Sequence, residues 1–188
     1  MEKIMKIMFI SDIHGVDSTL EKVLEIAGEI SPAKIAVLGD VLYHGPRNGV
    51  PEFYNPQKVA ELLNSNKKQF VVVRGNCDTE VDQMMLSFPI LARSAHIMLE
   101  DGTVFFLTHG HIWDESNFEK IFDGNAILVH GHTHIPVNKL SEKGFRVFNP
   151  GSISLPKGGH PRTFGLYDSE TKELTIRLLD DWKTIYNP

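Results

Sequence analysis

Ala126-Ile127-Leu128-Val129-His130-Gly131-His132-Thr133-His134 joins a short apolar run to a loop carrying two histidines two residues apart. A run this short, closed by a glycine, reads as a strand buried on both faces. In an extended segment, side chains at i and i+2 point to one side, about 6.5–7 Å apart along the chain. Two imidazoles so placed can reach two metal ions held side by side, which in two-metal hydrolytic sites lie roughly 3.5–4 Å apart. Gly131 admits close backbone approach. An isolated His-x-His also describes a solvated polar loop, so the weight falls on whether other loops repeat the arrangement.

They do. Ile7-Met8-Phe9-Ile10 runs into Ser11-Asp12-Ile13-His14-Gly15, and Ile35-Ala36-Val37-Leu38 into Gly39-Asp40. Phe70-Val71-Val72-Val73 runs into Arg74-Gly75-Asn76-Cys77-Asp78, and Val104-Phe105-Phe106-Leu107 into Thr108-His109-Gly110-His111. Arg146-Val147-Phe148 runs into Asn149-Pro150-Gly151-Ser152. In layered α/β proteins, sites gather at the carboxyl ends of strands. These loops are therefore expected to converge. Pooled, Asp12, His14, Asp40, Asn76, His109, His132 and His134 are nitrogen and oxygen donors without a thiolate. That set suits Mn, Fe or Zn and is too rich in nitrogen for Ca or Mg.

Helical signals lie between the strands. Leu20, Val23, Leu24 and Ala27 mark one face, with Ser18 and Glu21 as a capping box before it. Asn55 and Pro56 fit the N-cap and first position of a second helix carrying Val59, Leu62 and Leu63. A third helix carrying Val81, Met84 and Met85 is expected from Asp78 or Thr79, with its methionines as core filling, and a short one over Glu115–Phe122. Ile90 to Leu107 reads as a hairpin turning at Asp101-Gly102. A second hairpin joins Thr163–Tyr167 to Leu174–Leu179. Tyr43 to Asn55 reads as a loop beside the site. The order predicts an α/β fold, a four-layer α/β/β/α sandwich of two mixed sheets flanked by helices, as a single domain over residues 1–188.

Composition narrows the function. The chain has 188 residues, 41% hydrophobic and 23% charged, enough for one domain with a sizeable core. Neither a secretory leader nor an apolar stretch approaching the roughly 20 residues of a membrane span is apparent. The lone Cys77 cannot close an intramolecular disulfide, which suits a cytoplasmic location. A net charge of −5 without a basic run argues against a nucleic-acid partner. A small anionic substrate still fits, because bound divalent cations reverse the local potential. The composition is compatible with a homo-oligomer.

Asp-x-His, Gly-Asp, Gly-Asn-x-Asp, His-Gly-His and Gly-His-x-His, in that order after successive strands, resemble the calcineurin-like metallophosphoesterase superfamily. Within it they resemble most the bacterial YfcE-type phosphodiesterases. The resemblance extends over Gly39-Asp40-Val41-Leu42, His44-Gly45-Pro46-Arg47-Asn48, Arg74-Gly75-Asn76-Cys77-Asp78, Asn149-Pro150-Gly151-Ser152 and Pro156-Lys157-Gly158-Gly159. It implies a two-metal site, with Asp12, His14 and His134 on the first ion, Asn76, His109 and His132 on the second, and Asp40 bridging. It favours Mn2+, with Zn2+, Ni2+ or Fe as alternatives. It implies hydrolysis of a small phosphodiester by in-line attack of a metal-bridging hydroxide, with Asp40, Asn76 and His109 central to catalysis. His44, Arg47 and Cys77 are candidates for meeting the substrate. Asp78, His111, Asn149 and Ser152 are candidates for orienting the ligands. Thr133 is expected to serve backbone geometry, and Lys157 reads as a surface residue. Many phosphatases of the superfamily carry His after the ligand Asn, where Cys77 stands here. The YfcE-type branch shares that cysteine.

Two other functions compete. A scaffold of the same fold, as in a retromer subunit, is free to lose ligands, whereas every ligand position is filled here. A nuclease of the superfamily would call for a basic surface that this composition lacks.

Overall fold

The computed structural model describes residues 5–121 and 126–188. Residues 1–4, where the reading for a leader begins, and Phe122 of the expected short helix lie outside them. In chain order the elements are β1 (Lys6–Ile10), α1 (Asp17–Ile30), β2 (Lys34–Val37), α2 (Pro56–Ser65), β3 (Phe70–Val72) and α3 (Glu80–Met85). Next come β4 (Ser94–Met98), β5 (Val104–Thr108), β6 (Ala126–Val129), β7 (Val137–Leu140) and β8 (Arg146–Asn149). β9 (Thr163–Asp168), β10 (Glu173–Leu178) and β11 (Ile185–Tyr186) close the chain.

One sheet runs β11-β10-β9-β1-β2-β3 and the other β4-β5-β6-β8-β7. Each has three parallel strands, β1-β2-β3 at one edge of the first and β5-β6-β8 in the middle of the second, with antiparallel strands beside them. The expected hairpins are β4-β5 and β9-β10.

Continuous apolar strands are required because both faces of the first sheet are covered. Ile7 and Phe9 of β1 enter the core between the sheets with Phe105, Leu107, Val129 and Phe148. Met8 and Ile10 face the other way, under Leu20 and Val23 of α1 and Val59 and Leu63 of α2. Phe9 meets Phe105 and Phe148 at ring-centroid distances of 5.2 and 5.9 Å, which stitches the sheets together. On the outer face of the second sheet, Phe106, Leu128 and Val147 are covered by Phe118. The fourth layer is thin there. Instead of a helix over Glu115–Phe122, the described residues form a 3₁₀ turn at Phe118–Lys120.

Two more local expectations are corrected. The Ser18/Glu21 capping box is absent: α1 starts at Asp17 with Val16 as N-cap and no side-chain cap. The preceding loop fixes that start, through Gly15 N–H to the Val41 carbonyl and Val16 N–H to the Ile13 carbonyl. The capping box lies on α3, where Thr79 and Asp82 satisfy each other's backbone N–H. Val81 and Met84 of that helix are 67% and 84% exposed, and Met85 is exposed too, so they do not fill the core. Only Asp82 of α3 is buried. For α2 the expectation holds, with Asn55 accepting from Lys58 N–H and Pro56 at the first turn. No helix among the described residues is long and apolar enough to cross a membrane.

Candidate metal centre

The loops after β1, β2, β3, β5, β6 and β8 meet at the carboxyl ends of the two sets of parallel strands. Their backbones are unusual. Asp12, His14, Asp40, His132 and His134 all adopt left-handed φ values, 57°, 50°, 54°, 68° and 59°. Non-glycine residues in that region carry strain of order 1–3 kcal/mol each, and such strain clusters at functional sites. The 132–134 segment is therefore a turn and not the extended segment that its spacing suggested. Thr133 N–H bonds the Gly131 carbonyl at 2.8 Å, and His132 N–H bonds Asp12 Oδ2 at 3.2 Å. Gly131 permits this contact: a Cβ there would stand 1.8 Å from Ser11 Oγ.

The side chains converge, with ring nitrogens and carboxylate oxygens facing one another. His14, His109 and His134 each turn Nδ1 to a backbone carbonyl, of Tyr43 at 2.8 Å, Leu38 at 2.6 Å and Leu155 at 2.5 Å. Those bonds fix the rings and leave Nε2 facing inward. His14 Nε2 lies 3.4 Å from His134 Nε2, and Asp12 Oδ1 lies 3.3 Å from His134 Nε2 and 3.8 Å from that of His14. Asp12 Oδ1 is buried and has no hydrogen-bond partner. Acceptors packed this closely, without a donor among them, suit a cation.

A second group stands beside the first. His109 Nε2 lies 3.1 Å from Asn76 Oδ1, and its ring centroid lies 5.1 Å from that of His132. Asp40 Oδ2 sits between the groups, 3.6 Å from His14 Nε2 and 3.4 Å from His109 Nε2, while Oδ1 accepts from Cys77 N–H at 2.8 Å. Asp12, His14 and His134 offer ligand atoms within 4.8 Å of one another, as do Asp12, Asp40 and His109, and also His14, Asp40 and Cys77.

Electrostatics follow from burial and these contacts. Burial opposes charge on His109, but the hydrogen bond to Asp40 and the Asp12 and Asp40 carboxylates outweigh it and lift the imidazole to about 9. Burial likewise opposes charge on Asp40, yet bonds from His109 and Cys77 N–H hold it below the usual carboxylate range. Desolvation lowers His132 and His134, and lowers His111 to about 4 with help from His109 and His132. Burial raises Asp78 to about 6 against the pull of three backbone N–H donors.

The residues expected to orient the ligands make the following contacts. Asp78 accepts from the N–H groups of Asp40, Val41 and Gly75 at 2.9, 2.8 and 2.7 Å, locking the β2 and β3 loops together. Asn149 donates to the Gly131 carbonyl and Thr133 Oγ1, which fastens the 131–134 turn. Ser152 Oγ donates to the Asp12 carbonyl and accepts from Leu155 N–H, joining two ligand loops. The His111 ring stands 5.3 Å from that of His109.

The substrate candidates divide. Arg47 lines the cleft with His14, Asp40, Asn76, Cys77, His132 and His134. His44 is not among the lining residues: its ring packs between Tyr43 and Tyr54, with centroid distances of 4.7 and 5.1 Å. Two other residues line the cleft as well: Asn48, which was given no role, and Lys157, which was expected at the surface and is exposed. Asn48 lines the cleft and donates to the His44 carbonyl, and Lys157 lines it from the opposite loop. Lys157 N–H bonds the His134 carbonyl at 3.2 Å, so the loop that orients His134 also carries this ammonium. The Gly158-Gly159 pair after it was the available signal, since both glycines adopt left-handed φ and turn the chain back on the site.

The two-sheet architecture and the strand-end donor set define a class. The chain belongs to the calcineurin-like phosphoesterase superfamily, whose domain profile matches residues 5–172. Among individual proteins it is similar to Phosphodiesterase YfcE of Escherichia coli, 47% identical over 181 residues, 96% of each chain. It is 25% identical over 182 residues to Probable metallophosphoesterase YsnB of Bacillus subtilis, covering 94% of this chain and 91% of YsnB. The solved structure of E. coli Yfce, described as a phosphoesterase, matches with a TM-score of 0.90 and 45% identity over 97% of each chain.

Proposed function

We propose that this protein is a metal-dependent phosphodiesterase acting on small soluble phosphodiesters in the cytoplasm. The observation that carries the reading is the facing set of acceptors: inward Nε2 atoms at 3.4 Å and a buried, unpartnered Asp12 Oδ1. Asp12, His14 and His134 would hold one divalent ion, Asn76, His109 and His132 the other, and Asp40 would serve both. The donor chemistry suits Mn2+, and also admits Zn2+, Ni2+ or Fe. When bound, such ions lower the pKa of water from about 15.7 to about 7 and neutralise charge on phosphate oxygens.

The chain's own groups do the rest. Arg47 offers a planar donor pair for phosphate oxygens, and Lys157 a point charge from the facing loop. The carbonyls of Leu38, Tyr43 and Leu155 hold His109, His14 and His134 in the tautomer whose Nε2 faces inward. Asp78 keeps the Asp40 loop still. The thiol of Cys77 is pushed up to about 12 by burial and by Asp40 and Asp78, so it is present as a neutral, weak donor. Esters with good leaving groups are the natural substrates of such a site.

Hydrolysis of bis(p-nitrophenyl) phosphate by chelator-stripped protein tests the proposal, with Mn, Zn, Ni or Mg returned separately. The expected result is turnover that requires metal and disappears in Asp40→Ala and His132→Ala. Binding of about two ions per chain without turnover of any diester would instead favour the scaffold.

A further inference from the structure

The cleft bounded by the candidate ligands, Arg47 and Lys157 encloses only about 50 Å³. By that measure one water molecule needs about 10–15 Å³, so the space has room for a phosphoryl group but not for two carbon arms as well. A phosphodiester carries two carbon arms, and at least one must lie elsewhere. A much larger groove, about 700 Å³, begins at Gly110, His132 and Thr133 and shares His132 with the cleft. It runs over the outer face of the second sheet, below the 114–116 segment.

Strand alternation builds its floor. Val137 and Lys139 of β7 point to the same face. Val137 packs with Val147 of β8 on the outer cluster, and Ile135 widens this apolar surface toward the cleft. The walls bear the carboxylates of Asp114, Glu115 and Glu142 against the ammonium groups of Lys139 and Lys143. Both ammonium groups are engaged, Lys139 with Glu115 at 2.8 Å and Lys143 with Glu119 at 2.8 Å. Glu142 has no ion-pair partner among the described residues. The groove thus offers a visitor an apolar floor and a surplus of negative charge, the reverse of the cation-lined cleft it adjoins.

We propose that this groove seats the non-leaving arm of the diester, and that it selects an arm with an apolar body and a neutral or cationic head over an anionic one. The inference rests on the phosphodiesterase reading and adds to it the chemical class of the alcohol. The phosphate lies in the cleft, and the arm passes His132 and Thr133 into the groove, whose surplus of negative charge favours a cationic head.

The test uses two probes with one leaving group, methyl p-nitrophenyl phosphate and p-nitrophenyl phosphorylcholine, and the Mn-loaded full chain. The readout is the ratio of kcat/KM for the choline ester to that for the methyl ester, because a ratio is insensitive to the folded fraction. The parent should favour the choline ester. Val137→Trp, which fills the floor, should lower the ratio about tenfold, the size of a steric mismatch in an apolar subsite. Glu142→Lys, an exposed charge reversal, should lower it about threefold at low ionic strength and less in salt. A parent that prefers the methyl ester, or a ratio unmoved by both variants, overturns the groove assignment while leaving the phosphodiesterase reading intact. Turnover of bis(p-nitrophenyl) phosphate with turnover of neither probe also overturns the groove assignment, whereas absence of turnover of all three diesters by the parent overturns the phosphodiesterase reading, and the groove assignment falls with it.

Discussion

Cys77 and Lys157 show how single residues set the reach of the site. Cys77 stays protonated across the working range, since burial and the Asp40 and Asp78 carboxylates keep its thiol at about 12. A neutral thiol gives little help to a poor leaving group, and a general acid in that place is worth about 10²–10⁴-fold. Cys77→His should therefore raise the rate on an alkyl phosphomonoester relative to bis(p-nitrophenyl) phosphate by at least about tenfold. Parallel assays on the two ester classes check this, and an unchanged ratio removes the thiol from the account. In the proposed site Lys157 would act on binding. A hydrogen bond to a charged group is worth about 1.5–3 kcal/mol, so Lys157→Gln should raise KM about tenfold while lowering kcat less. Lys157→Arg should restore most of the loss. A kcat effect larger than the KM effect would mean that the residue matters through its loop. Neither role was legible from side-chain type alone, because a lysine in a glycine-rich loop looks the same whether the loop faces solvent or folds over a cleft.

At the scale of elements, the site depends on how closely the loops approach one another. Gly131→Ala places a Cβ 1.8 Å from Ser11 Oγ and 3.0 Å from Asp12 Oδ2. The β6–β7 and β1–α1 loops would have to separate, so metal stoichiometry and turnover should collapse with only a modest loss of stability. Thr79→Ala is the contrasting case. It removes the α3 capping box, costs about 1 kcal/mol in denaturant unfolding and leaves metal stoichiometry alone. Equal loss of metal binding in both variants would mean that global destabilisation, and not loop contact, governs the site. The contrast also separates what the sequence could reveal from what it could not. The strands were readable, since a short apolar run opening into a loop with Asp, Asn or His forms a local pattern. The α2 cap was readable, since Asn55-Pro56 is local too. The α1 start was misplaced because the bonds that set it come from Val41, far along the chain. The α3 methionines were misread because periodicity identifies an apolar face without saying whether anything covers it. The left-handed turns at His132 and His134, and the carbonyls that orient the rings, leave no side-chain signature at all.

At the scale of the whole molecule, a rigid core between two sheets holds carboxylates and imidazoles closer together than they would choose. A metal ion relieves that conflict, and an ion that binds only the folded chain adds stability, about 2.7 kcal/mol at a hundredfold excess over Kd. In the metal-free chain a proton does part of this work. His109 is lifted from 6.5 to about 9 by Asp40 and Asp12, so it is cationic at pH 7 and paired with the Asp40 carboxylate. A raised imidazole contributes stability that is full below 6.5 and is lost as pH rises through about 9. Metal must displace that proton, so its apparent affinity should rise up to about tenfold per pH unit over the range below 9. His132 and His134 are lowered from 6.5, are neutral at pH 7 and release nothing. Three results should then appear together. Mn2+ raises Tm, the rise is larger at pH 8 than at pH 6, and calorimetry at pH 7 in buffers of different ionisation enthalpy records about one proton released from His109 on saturation. His109→Gln should abolish the proton release while leaving the Asp12, His14 and His134 group able to bind an ion. A Tm gain independent of pH, without proton release, would mean that Asp40 and His109 do not form the charged pair described and that the second group is preformed for metal.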